Sequence, residues 1–239
     1  MLVVVDVSRS MRASAAPGRP TRFTRAQRAA VEIRDALPEV PTGIASLTDR
    51  VLPHLFPTAD RDVFVETVER ALRPEQPAPA ERSVQATALG ALAGVPSGNV
   101  FDPSARRRLL VVVTDGESRP FDPASIRRVL AAARIGLVVV RVGDEAERVY
   151  DHGRPEAGYV PDPLAGEAVA ALAGENAFAE RDAADAARAA RDLLGRGPTV
   201  ERERARRLVP LGPYLALLAL LPLALLLRLP GFRWTPAAG

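Results

Sequence analysis

The sequence predicts an α/β fold, a doubly wound, Rossmann-like and mostly parallel sheet with one antiparallel edge strand, followed by a C-terminal transmembrane helix. Three observations predict it. Leu2 to Val5 and Leu109 to Val113 are unbroken runs of leucine and valine, the pattern of strands buried on both faces beneath helices. Segments with strand and helix periodicity alternate along the chain, as a layered α/β domain requires. Val209 to Leu227 carries no charge and ten of its residues are leucine.

Composition narrows the function classes. The chain has 239 residues, 47% of them apolar, enough for one sizeable core and an appendage. It has no cysteine, which removes disulfides, thiolate metal sites and a cysteine nucleophile. All 32 basic residues are arginine, yet the net charge is only +3 and aromatics are 5%. Nucleic-acid binders concentrate positive charge and stacking rings, so no nucleic-acid partner is expected. The first residues form a strand and lack the pattern of a signal peptide.

The elements follow in order. Leu2 to Val5 is the first strand and ends at Asp6. Met11 to Pro20 reads as an exposed connection rich in small residues. Thr24 then caps a helix with Ala26, Ala30, Ile33 and Leu37 on one face, stopped by Pro38 and Pro41. Gly43 to Leu47 and Val51 to Phe56 form a hairpin around Thr48, Asp49 and Arg50, and supply the antiparallel edge. Asp60 opens a second helix with Phe64, Val68 and Leu72 on its inner face, and Pro74 to Pro79 is a surface loop. Ala88 to Ala93 is read as a short apolar helix with Thr87 near its start, and Gly94 to Pro103 as another loop. Leu109 to Val113 is the second buried strand, followed by Thr114, Asp115, Gly116 and Glu117. Asp122 and Pro123 start a helix that Gly136 closes as its C′ residue. Leu137 to Val142 is a third strand, and an irregular region follows it. Asp162 and Pro163 open a further helix, Ala177 and Phe178 form a short last strand, and Arg181 to Leu194 is an amphipathic helix ended by Gly195.

The domain organisation is therefore a globular unit over residues 1–195, a charged linker over 196–208, a transmembrane helix over 209–228 and a short tail over 229–239. As a helix the uncharged run is about 28 Å long at about 1.5 Å per residue, enough to cross a hydrocarbon core. Leucines at about −0.5 kcal/mol each offset the central Pro222. Five arginines from Arg196 onward precede the span, against Arg228 and Arg233 after it, so the positive-inside rule keeps the globular part in the cytoplasm of a single-pass protein. An N-terminal segment missing from the sequence would place that part on the outer face instead. Arg202 to Arg207 also suit anionic lipid headgroups.

The chemistry concentrates at strand ends. Asp6, Ser8 and Ser10 follow the first buried strand at i, i+2 and i+4, and Asp115 follows the second. Carboxyl ends of parallel strands are where open α/β sheets build ligand sites, and hydroxyls beside acids suit a hard divalent cation. With the distant Thr87, the set Asp6, Ser8, Ser10, Thr87 and Asp115 resembles the metal-ion-dependent adhesion site of the von Willebrand factor A domain. The pattern there is Asp-x-Ser-x-Ser, then a threonine, then an aspartate often followed by glycine, and the resemblance covers residues 1–195. It implies that Ser8, Ser10 and Thr87 bind Mg2+, or Mn2+ or Ca2+, through their hydroxyls. Asp6 and Asp115 would act through water or by hydrogen-bonding the serines. It also implies a protein partner whose Asp or Glu carboxylate completes the shell, without catalysis by the chain itself. Thr87 follows Gln85 and Ala86 where relatives often have glycine, which makes Ser83 a substitute. Only five residues precede Asp6, fewer than such domains usually carry. The C-terminal span resembles that of bacterial aerotolerance-operon-type membrane proteins, which implies association with a MoxR-type AAA ATPase.

Two other readings compete. A metal-dependent hydrolase would use Asp6 as nucleophile, but position 8 is serine where such phosphotransfer enzymes usually carry a second acid. Serine nucleophiles need a base, and the two histidines, His54 and His152, fall away from the expected crevice. Gly116 and Gly143 are isolated, so no phosphate loop is present. A membrane-anchored domain with a decayed site would not keep all five positions. Arg106 to Arg108 is read as a solvated strand entrance.

Overall fold

The computed structural model describes residues 1–76, 78 and 87–195. The linker, the span and the tail expected over 196–239 lie outside the described residues, as does Ser83. Among the described residues no helix is long and apolar enough to cross a membrane.

Five long strands build the sheet: β1 (Leu2–Asp6), β2 (Thr42–Leu47), β3 (Val51–Thr58), β4 (Arg108–Thr114) and β5 (Ile135–Arg141). A small hairpin, β6 (Tyr150–Asp151) and β7 (Arg154–Pro155), stands apart, and β8 (Ala177–Ala179) is the last strand. The helices are α1 (Arg22–Ala36), α2 (Arg61–Arg70), α3 (Pro123–Ala132), α4 (Ala165–Ala173) and α5 (Ala183–Leu194). The sheet order is β3-β2-β1-β4-β5-β8. Every neighbouring pair is parallel except β2 and β3. The hairpin at the edge carries register irregularities between Thr42 and Ala45, and Ala45 lies opposite Pro53.

Alternation along β1 divides the core into two layers. Val3 and Val5 face Ile33 of α1, Phe64 of α2 and Ala186 of α5. Leu2 and Val4 face Leu89, Ile126 of α3 and Val169 of α4. A strand wedged between two helical layers has no solvent face, which is why its sequence shows no polar alternation. Burial of such side chains contributes roughly 1.5–3 kcal/mol each.

The chain leaves β1 toward β2 on one side and returns to β4 on the other. Diverging connections at that reversal open a crevice at the carboxyl ends. Val5 pairs with Val113, so Asp6 and Thr114 stand level beside it.

Three local expectations are corrected. Met11, Ala13 and Ser14 are buried and Arg9–Arg12 is a 3-10 turn, so the first half of Met11 to Pro20 is packed and the exposed connection is confined to its later part, Pro17 to Pro20. The apolar run after Thr87 is a 3-10 helix over Leu89–Gly98 with Pro96 inside it, longer than expected and not α-helical. Gly136 does not close α3. Arg134 takes the left-handed conformation there, at φ 56, and Gly136 lies within β5 beside Leu109.

Candidate metal centre

Asp6 is fully buried at the end of β1, and its carboxylate accepts from neutral donors. The Ser8 backbone N–H donates to Oδ1 at 2.9 Å. Thr114 donates its hydroxyl to Oδ2 at 2.7 Å, and Thr87 donates to Oδ1 at 3.2 Å. The Ser8 side chain also bonds this carboxylate and lowers it, so the acid is shared between the serine turn and threonines from two other segments. Burial, and then the charge of Asp115, push the Asp6 carboxyl up to about 7, against the lowering effect of hydrogen bonds from Thr114 and Ser8. A buried carboxylate held by neutral donors alone favours a nearby cation.

Ser8 and Ser10 turn toward each other, with their hydroxyl oxygens 2.9 Å apart. Adjacent ligands of an octahedral Mg2+ at about 2.0–2.1 Å stand about 2.9 Å apart, so the pair already has the spacing of two neighbouring ligands. Thr87 is buried and locked by its backbone. Its carbonyl accepts from the Arg119 N–H at 2.9 Å, and the next N–H, of Ala88, donates to the Thr48 carbonyl at 2.8 Å. The structure therefore draws Asp6, Ser8, Ser10 and Thr87 to one place through direct hydrogen bonds, with Thr87 reaching Asp6 across 81 residues. No group of three or more His, Asp or Glu able to hold a metal occurs among the described residues. A cation here would depend on hydroxyls.

Asp115 follows β4 on the same rim, but its surroundings differ. Its Oδ1 accepts from the Glu117 N–H at 3.0 Å and its Oδ2 from Arg22 at 2.9 Å. Arg22 is the first residue of α1, placed by Thr21, whose hydroxyl accepts from the Thr24 N–H at 3.2 Å. The guanidinium also donates to Glu117 at 2.7 Å, Glu147 at 2.9 Å and the Asp144 carbonyl at 2.6 Å. Tyr159 completes the group, donating to Glu117 at 2.6 Å. Burial alone would lower the Arg22 pKa, but Asp115, Tyr159 and Glu117 more than offset this and hold it above its ordinary value. Burial, and then Asp115, raise Glu117, which Tyr159 and Arg22 partly counter.

Two glycines make the arrangement possible. Gly116 has φ +86, and a Cβ there would lie 2.5 Å from the Ala165 carbonyl oxygen, which accounts for the Thr-Asp-Gly sequence. Gly143, at φ +83, leaves room for the Arg22 side chain.

Thr114 is expected at this edge beside Asp115 and Gly116 but not as a donor to Asp6, and Arg22, Glu117, Glu147 and Tyr159 are not expected at the site. Thr114 had a signal, since it ends a buried strand beside Asp115. The Arg22 partners are 93 to 137 residues away, and nothing local marks them. His54 lies on β3 with its Nε2 2.8 Å from the Ser46 hydroxyl, and His152 is exposed in the β6–β7 turn. Neither stands at the rim.

Residues 1–117 match the sequence model of the von Willebrand factor type A domain, and they span β1, β4 and the residues gathered at the rim. Residues 1–117 carry the sequence of a von Willebrand factor A domain. The fold of the A domain is shared with an aerotolerance-related membrane protein of Bacteroides fragilis, at 21% identity and a TM-score of 0.65, covering 81% of this chain and 96% of that one. BatB of Bacteroides thetaiotaomicron is similar at 20% identity and 0.65, covering 80% and 97%. Proximal thread matrix protein 1 of the mussel byssus, whose structure has a zinc-occupied MIDAS motif, is similar at 14% identity and 0.56, covering 79% of this chain and 44% of that one. No curated protein matches the sequence.

Proposed function

We propose that this A domain is a divalent-cation-dependent protein-binding module. Ser8, Ser10 and Thr87 hold the ion, Mg2+ or alternatively Mn2+ or Ca2+, while Asp6 and Asp115 support it from behind. The observation that carries the reading is the hydroxyl pair of Ser8 and Ser10 at ligand spacing, beside a buried acid that no positively charged side chain contacts among the described residues. Neutral ligands leave most of the ion's charge in place, so an Asp or Glu carboxylate of a protein partner completes the shell. The bound ion supplies that electrostatic attraction, and the chain supplies position. The span over 209–228, uncharged as far as Leu227, anchors the protein to a membrane as a single pass, with the domain on the cytoplasmic side. A MoxR-type AAA ATPase is a candidate associate, on the resemblance to aerotolerance-type proteins.

The hydrolase alternative has no observation in its favour. Asp6 is enclosed, and no histidine is beside it.

Titrating the full chain with Mg2+ tests the proposal. Saturation at about one hundred times Kd stabilises by about 2.7 kcal/mol, read as a rise in thermal midpoint that chelator reverses. Asp6→Ala and Ser8→Ala are expected to abolish both that rise and carboxylate-dependent partner binding. A full Mg2+ response in both variants overturns the assignment.

A further inference from the structure

Asp6 and Asp115 are both buried acids at the rim, but among the described residues only Asp115 is matched by a buried cation. Arg22, itself buried, occupies Oδ2 of Asp115 at 2.9 Å while the Glu117 N–H occupies Oδ1 at 3.0 Å. Charge-assisted bonds of this kind are the strong ones, and a planar guanidinium with five donors is hard to displace when its other donors are engaged. They are engaged here, on Glu117, Glu147 and the Asp144 carbonyl. Glu147 has a second partner of its own in Arg25, at 2.7 Å, which fixes the far side of the cluster.

We infer that Arg22 is a positioning residue that holds Asp115 back from the cation, keeping the ion weakly held and open to a partner's carboxylate. The inference rests on the proposed cation site. Were Asp115 released, an anionic oxygen would become available to the ion directly. The ion would then bind more tightly to the chain and attract an external carboxylate less.

The test uses Mn2+ as probe on the full chain, with affinity from calorimetry and inner-shell water counted by electron paramagnetic resonance in 17O-enriched water. An octahedral ion on three hydroxyls keeps about three waters, the number expected for the unaltered protein. The double variant R22M/E117Q removes one positive and one negative charge and leaves Glu147 paired with Arg25. It is expected to bind Mn2+ about tenfold tighter with one water fewer, since an anionic oxygen then replaces a water on the ion. A folded double variant with unchanged or weaker affinity overturns the inference. Two waters or fewer in the unaltered protein also overturn it, and that measurement decides the matter if the variant does not fold. Absence of Mn2+ binding by the unaltered protein overturns the cation site itself.

Discussion

β1 and β4 lie side by side in parallel register, and each runs from apolar residues into a carboxylate on one rim. In sequence the two ends look like repeats of one device. In the fold they are opposites. Among the described residues Asp6 accepts from neutral groups, Ser8 and the hydroxyls of Thr87 and Thr114. Asp115 is paired with the buried guanidinium of Arg22. One acid is left needing a positive charge and the other already has one, and this contrast is what the proposed cation site and the proposed role of Arg22 rest on.

Removing Arg22 breaks the contrast with the largest expected effect. Arg22→Leu leaves Asp115, Glu117 and Glu147 buried with less than their full set of partners, and breaking a buried pair from one side costs about 3–5 kcal/mol. The loss is read from denaturant unfolding without metal. Because Arg22 lowers the Glu117 carboxyl, its removal lets Glu117 take up a proton more readily in the folded state, and part of the loss is recovered at low pH.

Acid pH sharpens the comparison at Asp6. Its carboxyl sits near 7 when folded and near 3.8 otherwise, so between those values the folded state keeps a proton that the unfolded state releases. Metal-free stability from this group is therefore greatest below about pH 4 and falls as pH rises toward 7. Burial raises Glu117 too, so it acts in the same direction. Mg2+ takes the place of the proton, so the gap between thermal midpoints with and without Mg2+ is expected to widen from pH 5.5 to 7.5. A gap that narrows over that range contradicts the account.

Thr114→Val gives the smallest effect. It removes a donor to Asp6 and the acceptor of the Gly116 N–H, which lies 3.0 Å from the hydroxyl. A loss of about 1–3 kcal/mol is expected, with Asp6 pushed further upward and Mg2+ binding weakened. Unfolding and calorimetry on the one variant check both.

The parts of the molecule legible in sequence were those whose cause is local. Uninterrupted valines in β1 and β4 announce burial on both faces. Asp60 and Asp122 cap α2 and α3 through their own side chains, as their positions predict. Asp6, Ser8 and Ser10 share one turn, so their convergence follows from adjacency. Thr87 could be placed only through the family resemblance, because its position depends on backbone contacts with Thr48 and Arg119. Arg22 was illegible. At the start of α1 it looks like any solvated helix residue, and its role exists only once the segment over 143–159 has folded over it. The long 3-10 helix after Thr87 was missed for a similar reason, since its apolar residues fit either helical period.

The sheet has two outer strands, and both are poor templates. β8 is only three residues long. β3 carries Pro53 and Pro57, which have no N–H to offer, and irregular register against its neighbour bends it. Such features discourage strand-to-strand joining between molecules. Copies crowded together would thus resist polymerising through their flanks, even though Phe56 projects from one of them.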